Sequence, residues 1–501
     1  MNHQLLSKIY LLYTSKKLPW LIISFGVILR LVQYLFNRSL WLDESFLALN
    51  IIDRSFIELL QPLTYNQGAP IGFLMLEKIA VQIFNSSEYA LRLFPFLSGI
   101  ASMFLFYGVA KRFIKSEAIP IAVGLFAISG PLIYYSSETK QYSSDVFITL
   151  IILYFVTRNI YSKRLTASHT IVFGVLGATV IWFSHSSVFI LAGVGVSLAL
   201  FSFVRKEWTR IGRLSIAYSF WALSLTLCYL VSLRDLSANK ALLNYWGDAF
   251  MPFPPSSLGD IKWFVDAFFN IFNDPVGLPL TGLAALAFLV GSVSLFLQKK
   301  EQFFILILPI SLVLLASGFH KYPFKGRLIL FLVPFLLLFI AEGVEQIRDK
   351  TKHNSTLIGI AFICILFLAP SLSASKLLIK PRTKEEIKPV ISYIREHKQN
   401  GDLLFLYYGA VPAYKFYSKI FRVNNNHYIE GVGSRDFWRN YINDLDKLRG
   451  NKRVWVLFSH VCTWEGVDEE KYFLSYLNSI GTKMDAFKSV GASVYLYDLY
   501  D

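Results

Sequence analysis

Stretches of about 20 apolar residues recur through most of this chain, and each is the length a helix needs to cross roughly 30 Å of hydrocarbon. They centre on residues 18–36, 89–110, 117–134, 142–158, 168–184, 186–204, 213–233, 277–297, 302–319, 328–347 and 356–374. A chain with such windows must satisfy its backbone hydrogen bonds internally, so each window is read as a helix. Composition agrees, with 54% hydrophobic and 17% charged residues and a mean hydropathy of +0.47. The expectation is a polytopic α-helical membrane protein of about eleven spans.

Lys and Arg in the short connections set the orientation, because cytoplasmic loops carry the excess of positive charge. With a cytoplasmic N-terminus, the inner connections hold Lys8, Lys16 and Lys17; Lys111, Arg112 and Lys115; Arg158, Lys163 and Arg164; Arg205, Lys206, Arg210 and Arg213; Lys299 and Lys300; and Arg348, Lys350 and Lys352. The long outer segments are poorer, with Arg38, Arg54 and Lys78 in the first and Arg234, Lys240 and Lys262 in another. The net charge of +15 is therefore mostly topology. It gives no reason to expect nucleic acid as a partner. The three cysteines, Cys228, Cys364 and Cys462, form neither a disulfide framework nor a zinc-ligand spacing. The first apolar window lacks a small-residue cleavage site and reads as a retained anchor.

Three segments interrupt the spans. The first outer loop carries Leu49, Ile52, Phe56 and Leu59 at helical spacing, then "TYNQGAP", then "IGFLMLEKIAVQIF" with Glu77 and Lys78. Two interfacial helices within 44–84 are expected. The second, 234–276, is aromatic and Pro-rich, "YWGDAFMPFPPSS" followed by "IKWFVDAFFNIF", and reads as a loop leading into an interfacial helix, either a cover over substrate or a structural surface element. After Ser375 the pattern changes. "DLLFLYYG", "RVWVLFSH" and "ASVYLYDLY" read as strands, alternating with helical "KEEIKPVISYIREHKQ", "VPAYKFYSKIF" and "DEEKYFLSYLNSIG". The expected organisation is a transmembrane domain over 1–375 and an extracytoplasmic α/β domain over 376–501 with a largely parallel sheet. It holds no Gly-rich phosphate loop and no nucleophile elbow, so no nucleotide is expected as a cofactor.

Candidate functional residues gather on the outer side. Asp43 and Glu44 follow the first span in "WLDES", and the loop "YYSSETKQYSSD" carries Tyr134, Tyr135, Glu138, Lys140, Tyr142 and Asp145. The loop "HKYPFKGR" carries His320, Lys321, Tyr322, Lys325 and Arg327, and His185 ends the fifth span. Two acids at a helix exit are ordinarily just solvated; here cations and tyrosines share their side of the membrane. Carboxylates can take a proton from a hydroxyl nucleophile, and Lys and Arg can neutralise a phosphate leaving group. That set suits transfer of a sugar from a lipid phosphate. Arg30, about seven residues inside the first span, has two readings: a snorkelling or structural partner, or a ligand contact.

In this order, "LRLVQYLFNRSLWLDES", "APIGFLMLEKIAVQIF", "EYALRLFPFLSGIASMFLFYGVAKRF", "YYSSETKQYSSDVFITLIILY" and "YPFKGRLILFLVPFLLLFIAEGVEQI" resemble the successive landmarks of the GT-C glycosyltransferases, in the branch of the protein O-mannosyltransferases and the lipid A aminoarabinose transferase. The resemblance covers about residues 18 to 350. It implies that Asp43 is the catalytic base with Glu44 beside it, and that Glu138, Lys140 and Tyr142, with Lys78, Lys325 and Arg327, bind the donor phosphate and substrate. Lys140 stands where Arg is commoner, exchanging a two-pronged donor for a point charge. A divalent ion would have Asp43, Glu138 and His185 as candidate ligands, none at a diagnostic spacing.

The expected protein is a bacterial inner-membrane enzyme. Its partners are a polyprenyl-phosphate sugar donor, a glycan, lipid or protein acceptor, and the membrane lipids. Direct displacement by the acceptor inverts the anomeric centre. The alternative from another class is a transporter or flippase of lipid-linked saccharides, which predicts charges midway along several spans and polar groups on both faces; a scaffold presenting its α/β domain predicts silent outer-loop substitutions. The apparent lack of an internal repeat weighs against transport.

Overall fold

The computed structural model describes residues 15–160, 165–351, 356–421 and 428–500. Lys8, Lys163, Arg164 and Lys352 of the charge pattern lie outside them. The chain divides into two compact units, one of residues 1–35, 56–79 and 92–380, the other of 36–55, 80–91 and 381–501.

The first unit is helical. Its main helices are α1 (Leu18–Leu35) and, after α2 (Leu42–Asp53) of the second unit, α3 (Ile71–Phe84, whose last turns join the second unit), α4 (Leu93–Phe113), α5 (Ile119–Ile128), α6 (Gly130–Tyr135), α7 (Tyr142–Phe155), α8 (Ala167–Phe183), α9 (Ser187–Val204) and α10 (Trp208–Cys228). They continue as α11 (Leu258–Asn273), α12 (Thr281–Gln298), α13 (Lys300–Gly318), α14 (Val333–Thr351) and α15 (Thr356–Ile379). Among the described residues eight helices are long and apolar enough to cross a membrane. The windows at 117–134, 142–158 and 168–184 fall on shorter helices. Pro131 at the start of α6 separates it from α5, and the 14 residues of α7 give way to a wider helical turn at Val156–Ile160.

α14 is the hub. With the 3-10 run Gly326–Leu332 ahead of it, it is buried along almost all its apolar length. Its closest neighbour is α12, and glycine permits the approach. A Cβ on Gly291 would stand 1.9 Å from the carbonyl oxygen of Phe339, and one on Gly343 would stand 1.8 Å from that of Ala287. Such small-residue contacts bring helix backbones together where lipid removes the usual hydrophobic drive. Arg30 is resolved as a structural partner. It is 1% exposed, donates to the carbonyls of Gly26 (2.9 Å), Ala127 and Phe126 (both 3.3 Å), and ties α1 to α5.

The second unit holds a five-stranded sheet of β1 (Leu403–Leu406), β2 (Tyr428–Glu430), β3 (Val454–Ser459), β4 (Thr482–Ser489) and β5 (Ala492–Asp498), in the order β2-β1-β3-β5-β4. β1 pairs parallel with β2 and β3, but β5 runs antiparallel to both β3 and β4. The sheet is therefore mixed, not largely parallel: β4 and β5 form a hairpin, which reverses direction without a crossover helix. Its core gathers Phe405, Val456, Phe458, Phe473 and Tyr495. The same unit includes the helix α2 (Leu42–Asp53), with Ser45, Leu47, Ala48 and Ile51 almost wholly buried.

Gly291→Ala places a methyl group against backbone that no rotamer change can move. It should destabilise the protein by about 1–3 kcal/mol, read as a lower melting temperature in detergent, while Gly282→Ala, at a position with open space around it, should leave it unchanged.

Candidate functional site

In the first unit, every residue from Ser136 to Lys140 is buried. This turn leads into α7, and two contacts fold the "TYNQGAP" loop against it: the Lys140 ammonium donates to Gln67 Oε1 at 2.5 Å, and Gln141 Nε2 donates to the Gly68 carbonyl at 3.4 Å. Tyr142 opens α7 and meets Tyr135 edge to face at 5.2 Å. The Arg327 guanidinium stands 5.6 Å from the Tyr142 ring and 5.8 Å from that of Trp246. Two aromatic faces thus orient a planar, permanently charged group. Asp145 reaches Ser184, and the Tyr322 hydroxyl donates to the Leu328 carbonyl at 2.8 Å.

Within this unit the structure thus brings together Lys140, Tyr142 and the loop holding Arg327. Lys325 is placed otherwise. Its ammonium pairs with Asp248 at 2.6 Å, both side chains being largely exposed, and it lines a separate cavity with Asp248 and Trp263. Glu138 is fully buried and Lys78 is 8% exposed. Glu77 is fully buried and, among the described residues, neither carboxylate oxygen meets a hydrogen-bond donor; burial pushes its carboxyl well above the ordinary range. Among the described residues His185 Nε2 is also buried without a hydrogen-bond partner. Trp246 and Gln67 escaped the sequence reading. Only the aromatic "YWGD" and the polar loop itself signalled them.

Asp43 and Glu44 belong to the second unit, in the first turn of α2, where carboxylates complement the helix dipole. Glu44 is fully buried while Asp43 is partly exposed. The start of this helix is built by the C-terminal domain. The Leu40 amide donates to the Tyr417 hydroxyl at 2.7 Å, the Leu42 amide to Glu385 Oε2 at 2.9 Å, and the Ser39 hydroxyl to Glu386 Oε2 at 2.9 Å. Lys384 lies 3.2 Å over the ring of Trp41. Glu385 is itself held, its Oε1 2.6 Å from His460 Nδ1.

The candidate ion ligands were Asp43, Glu138 and His185. Among the described residues no group of three or more His, Cys, Asp or Glu side chains is arranged to hold a metal.

The class these features define is a polytopic helical membrane protein carrying an α/β domain whose residues anchor the helix after the first span. No family model matches the sequence, and no curated protein matches it. Solved structures do. ArnT from Cupriavidus metallidurans bound to undecaprenyl phosphate aligns with a TM-score of 0.56 at 10% identity, over 96% of this chain and 98% of that one. The Archaeoglobus fulgidus oligosaccharyltransferase in complex with Zn and sulfate aligns at 0.52 and 14% identity, over 87% and 67%. AglB from Archaeoglobus fulgidus, in complex with an inhibitory peptide and a dolichol-phosphate, aligns at 0.51 and 13% identity, over 96% and 74%. The chain shares their fold.

The link between His460 and Glu385 has a pH signature. Burial alone would lower the imidazole, but its contacts with Cys462 and Glu385 outweigh that and raise it from 6.5 to about 9. A group with a raised folded-state value contributes stability fully present below its unfolded value, lost as pH rises through the folded one. The melting temperature of the protein should therefore exceed that of His460→Gln by a constant margin below about pH 6.5, and the margin should shrink as pH rises through about 9. A margin independent of pH would show that the imidazole is uncharged.

Proposed function

We propose that this chain is a membrane glycosyltransferase that moves a hexosyl or pentosyl group from a polyprenyl phosphate to an acceptor, at the outer face of the cytoplasmic membrane. The observation that carries this reading is the orientation of Arg327 by Tyr142 and Trp246, in the same cluster as buried Lys140. Cations oriented by an apolar frame suit a phosphate whose negative charge grows as a glycosidic bond breaks. The fold supports the reading, since neighbours that share it were solved with undecaprenyl phosphate and a dolichol-phosphate.

Asp43 is the base in this scheme. It takes the proton of the acceptor nucleophile as that atom attacks the anomeric carbon, and the lipid phosphate leaves with the bonding electron pair. Its partial exposure gives an acceptor access that fully buried Glu44 lacks. Glu44, beside it on the first turn, reinforces the local negative potential. Arg327 and Lys140 hold the departing phosphate, Tyr142 fixes the direction of Arg327, and Lys78 and Glu138 complete the polar set. One displacement inverts the anomeric configuration. The N-terminus is cytoplasmic, the α/β domain is extracytoplasmic, and the three shorter apolar helices complete a set of eleven spans.

Asp43→Asn keeps the size of the side chain and removes the base. It should lower kcat by about 100-fold or more with no change in melting temperature, measured by transfer of label from a polyprenyl-phosphate sugar; unchanged turnover would remove Asp43 from the role. Arg327→Ala should raise KM for the lipid donor by about 10- to 100-fold, the value of a lost charge-assisted hydrogen bond, and leave acceptor KM in place. An effect on the acceptor alone would overturn the phosphate assignment.

A further inference from the structure

The aromatic segment leading to "IKWFVDAFFNIF" has no part in this scheme, yet α11 is built with unusual care. The segment Pro254-Pro255 precedes it, and a capping box starts it: the Asp260 amide donates to Ser257 Oγ at 3.1 Å while the Ser257 amide donates to Asp260 Oδ2 at 2.8 Å. The helix has three faces. Leu258, Ile261, Val265 and Phe269, at spacings of three or four, are exposed and apolar, as suits a helix lying at a lipid boundary. Phe268 and Phe272 pack against Phe288 of α12.

The third face carries Trp263, Asp266, Asn270 and Asn273, also at spacings of three or four, and it lines a cavity of about 300 Å3 closed on the far side by Phe324, Lys325 and Gly326. Trp263 is fixed by its indole N–H, which donates to the Asp248 carbonyl at 3.2 Å. The Lys325 and Asp248 pair sits on the same wall. Asp274 Oδ2 approaches the backbone at Gly326, where a Cβ would lie 3.0 Å away and φ is +51°. Among the described residues the side chains of Asp266, Asn270 and Asn273 make no hydrogen bond, so a carboxylate and two carboxamides stand ready along one wall.

We propose that this cavity binds a saccharide that is uncharged or carries an amino group. An indole face accepts the C–H face of a sugar ring, while neighbouring carboxylates and carboxamides accept from and donate to vicinal hydroxyls. Charge sets the class. Three acids, Asp248, Asp266 and Asp274, line the site against one cation, Lys325, which favours an amino sugar and disfavours a phosphorylated one. Placement of this sugar as the acceptor rests on the transferase reading; its binding does not.

The test uses the full-length protein in detergent micelles and ligand-observed saturation-transfer NMR. The probes are the methyl glycosides of glucose, galactose and mannose, together with glucosamine and glucose 1-phosphate. At least one neutral or amino sugar should bind, with glucose 1-phosphate at least tenfold weaker. The double variant Asp266→Ala/Asn270→Ala, at two exposed positions, should weaken that binding at least tenfold at an unchanged melting temperature, and Trp263→Ala should do the same if it folds. Absence of binding by every sugar, indifference to the double variant, or equal binding of glucose 1-phosphate would overturn the proposal. The two readings separate cleanly. Saccharide binding lost in the double variant from a protein with no transferase activity would sustain the site and reject the enzyme; transfer by a protein whose sugar binding ignores the double variant would do the reverse.

Discussion

The backbone contact between α12 and α14 at Gly291 and Gly343 is the constraint on which the helical unit depends. A helix buried along nearly its whole apolar length must be wrapped by helices that come close enough for dispersion to hold them, and α14 adds a polar tie to α12 where Ser294 donates to buried Glu342 at 3.0 Å. Once α14 is clamped, the 3-10 run before it is fixed in direction, and with it Arg327. The orientation of a cation at one end of the bundle thus descends from two absent side chains in its middle.

Polar groups in this fold are handled in two distinct ways. Arg30 is deeply buried and spends its donors on three carbonyls of α1 and α5, so its charge does structural work. Arg327 is flanked by the rings of Tyr142 and Trp246, which steer the plane of its guanidinium. The difference separates a cation that organises the bundle from one suited to meeting an anion.

Much of the architecture was legible because bilayer physics is simple. Apolar windows mark spans, and the change of period after Ser375 marks an α/β domain. The shorter helices were harder: Pro131 and the polar start of α7 interrupt windows whose average hydropathy stays high. In the sheet, the strands β1, β3 and β5 are almost wholly buried and read clearly. β4 alternates between exposed and half-buried positions and β2 is three residues long, so the hairpin that makes the sheet mixed left little trace. Lys140, Tyr142 and Arg327, which the fold brings together, could be found as polar residues at or between the apolar windows. That Lys325 would turn to Asp248, and that Trp246 would sit over Arg327, depends on the path of a long aromatic loop that no local pattern encodes.

The anchoring of α2 alters what the C-terminal domain is. Glu385, Glu386 and Tyr417 supply the acceptors for the amides of Leu42, Ser39 and Leu40 at the start of this helix, and residues 36–55 and 80–91 share its compact unit. Cut at the end of the last apolar helix, the chain would lose no hydrophobic span, yet the turn bearing Asp43 would be stripped of its supports. Anyone exchanging tails between proteins of this fold would therefore be exchanging half of a discontinuous module. A graft that respects the molecule must carry the loop after the first span along with the sheet.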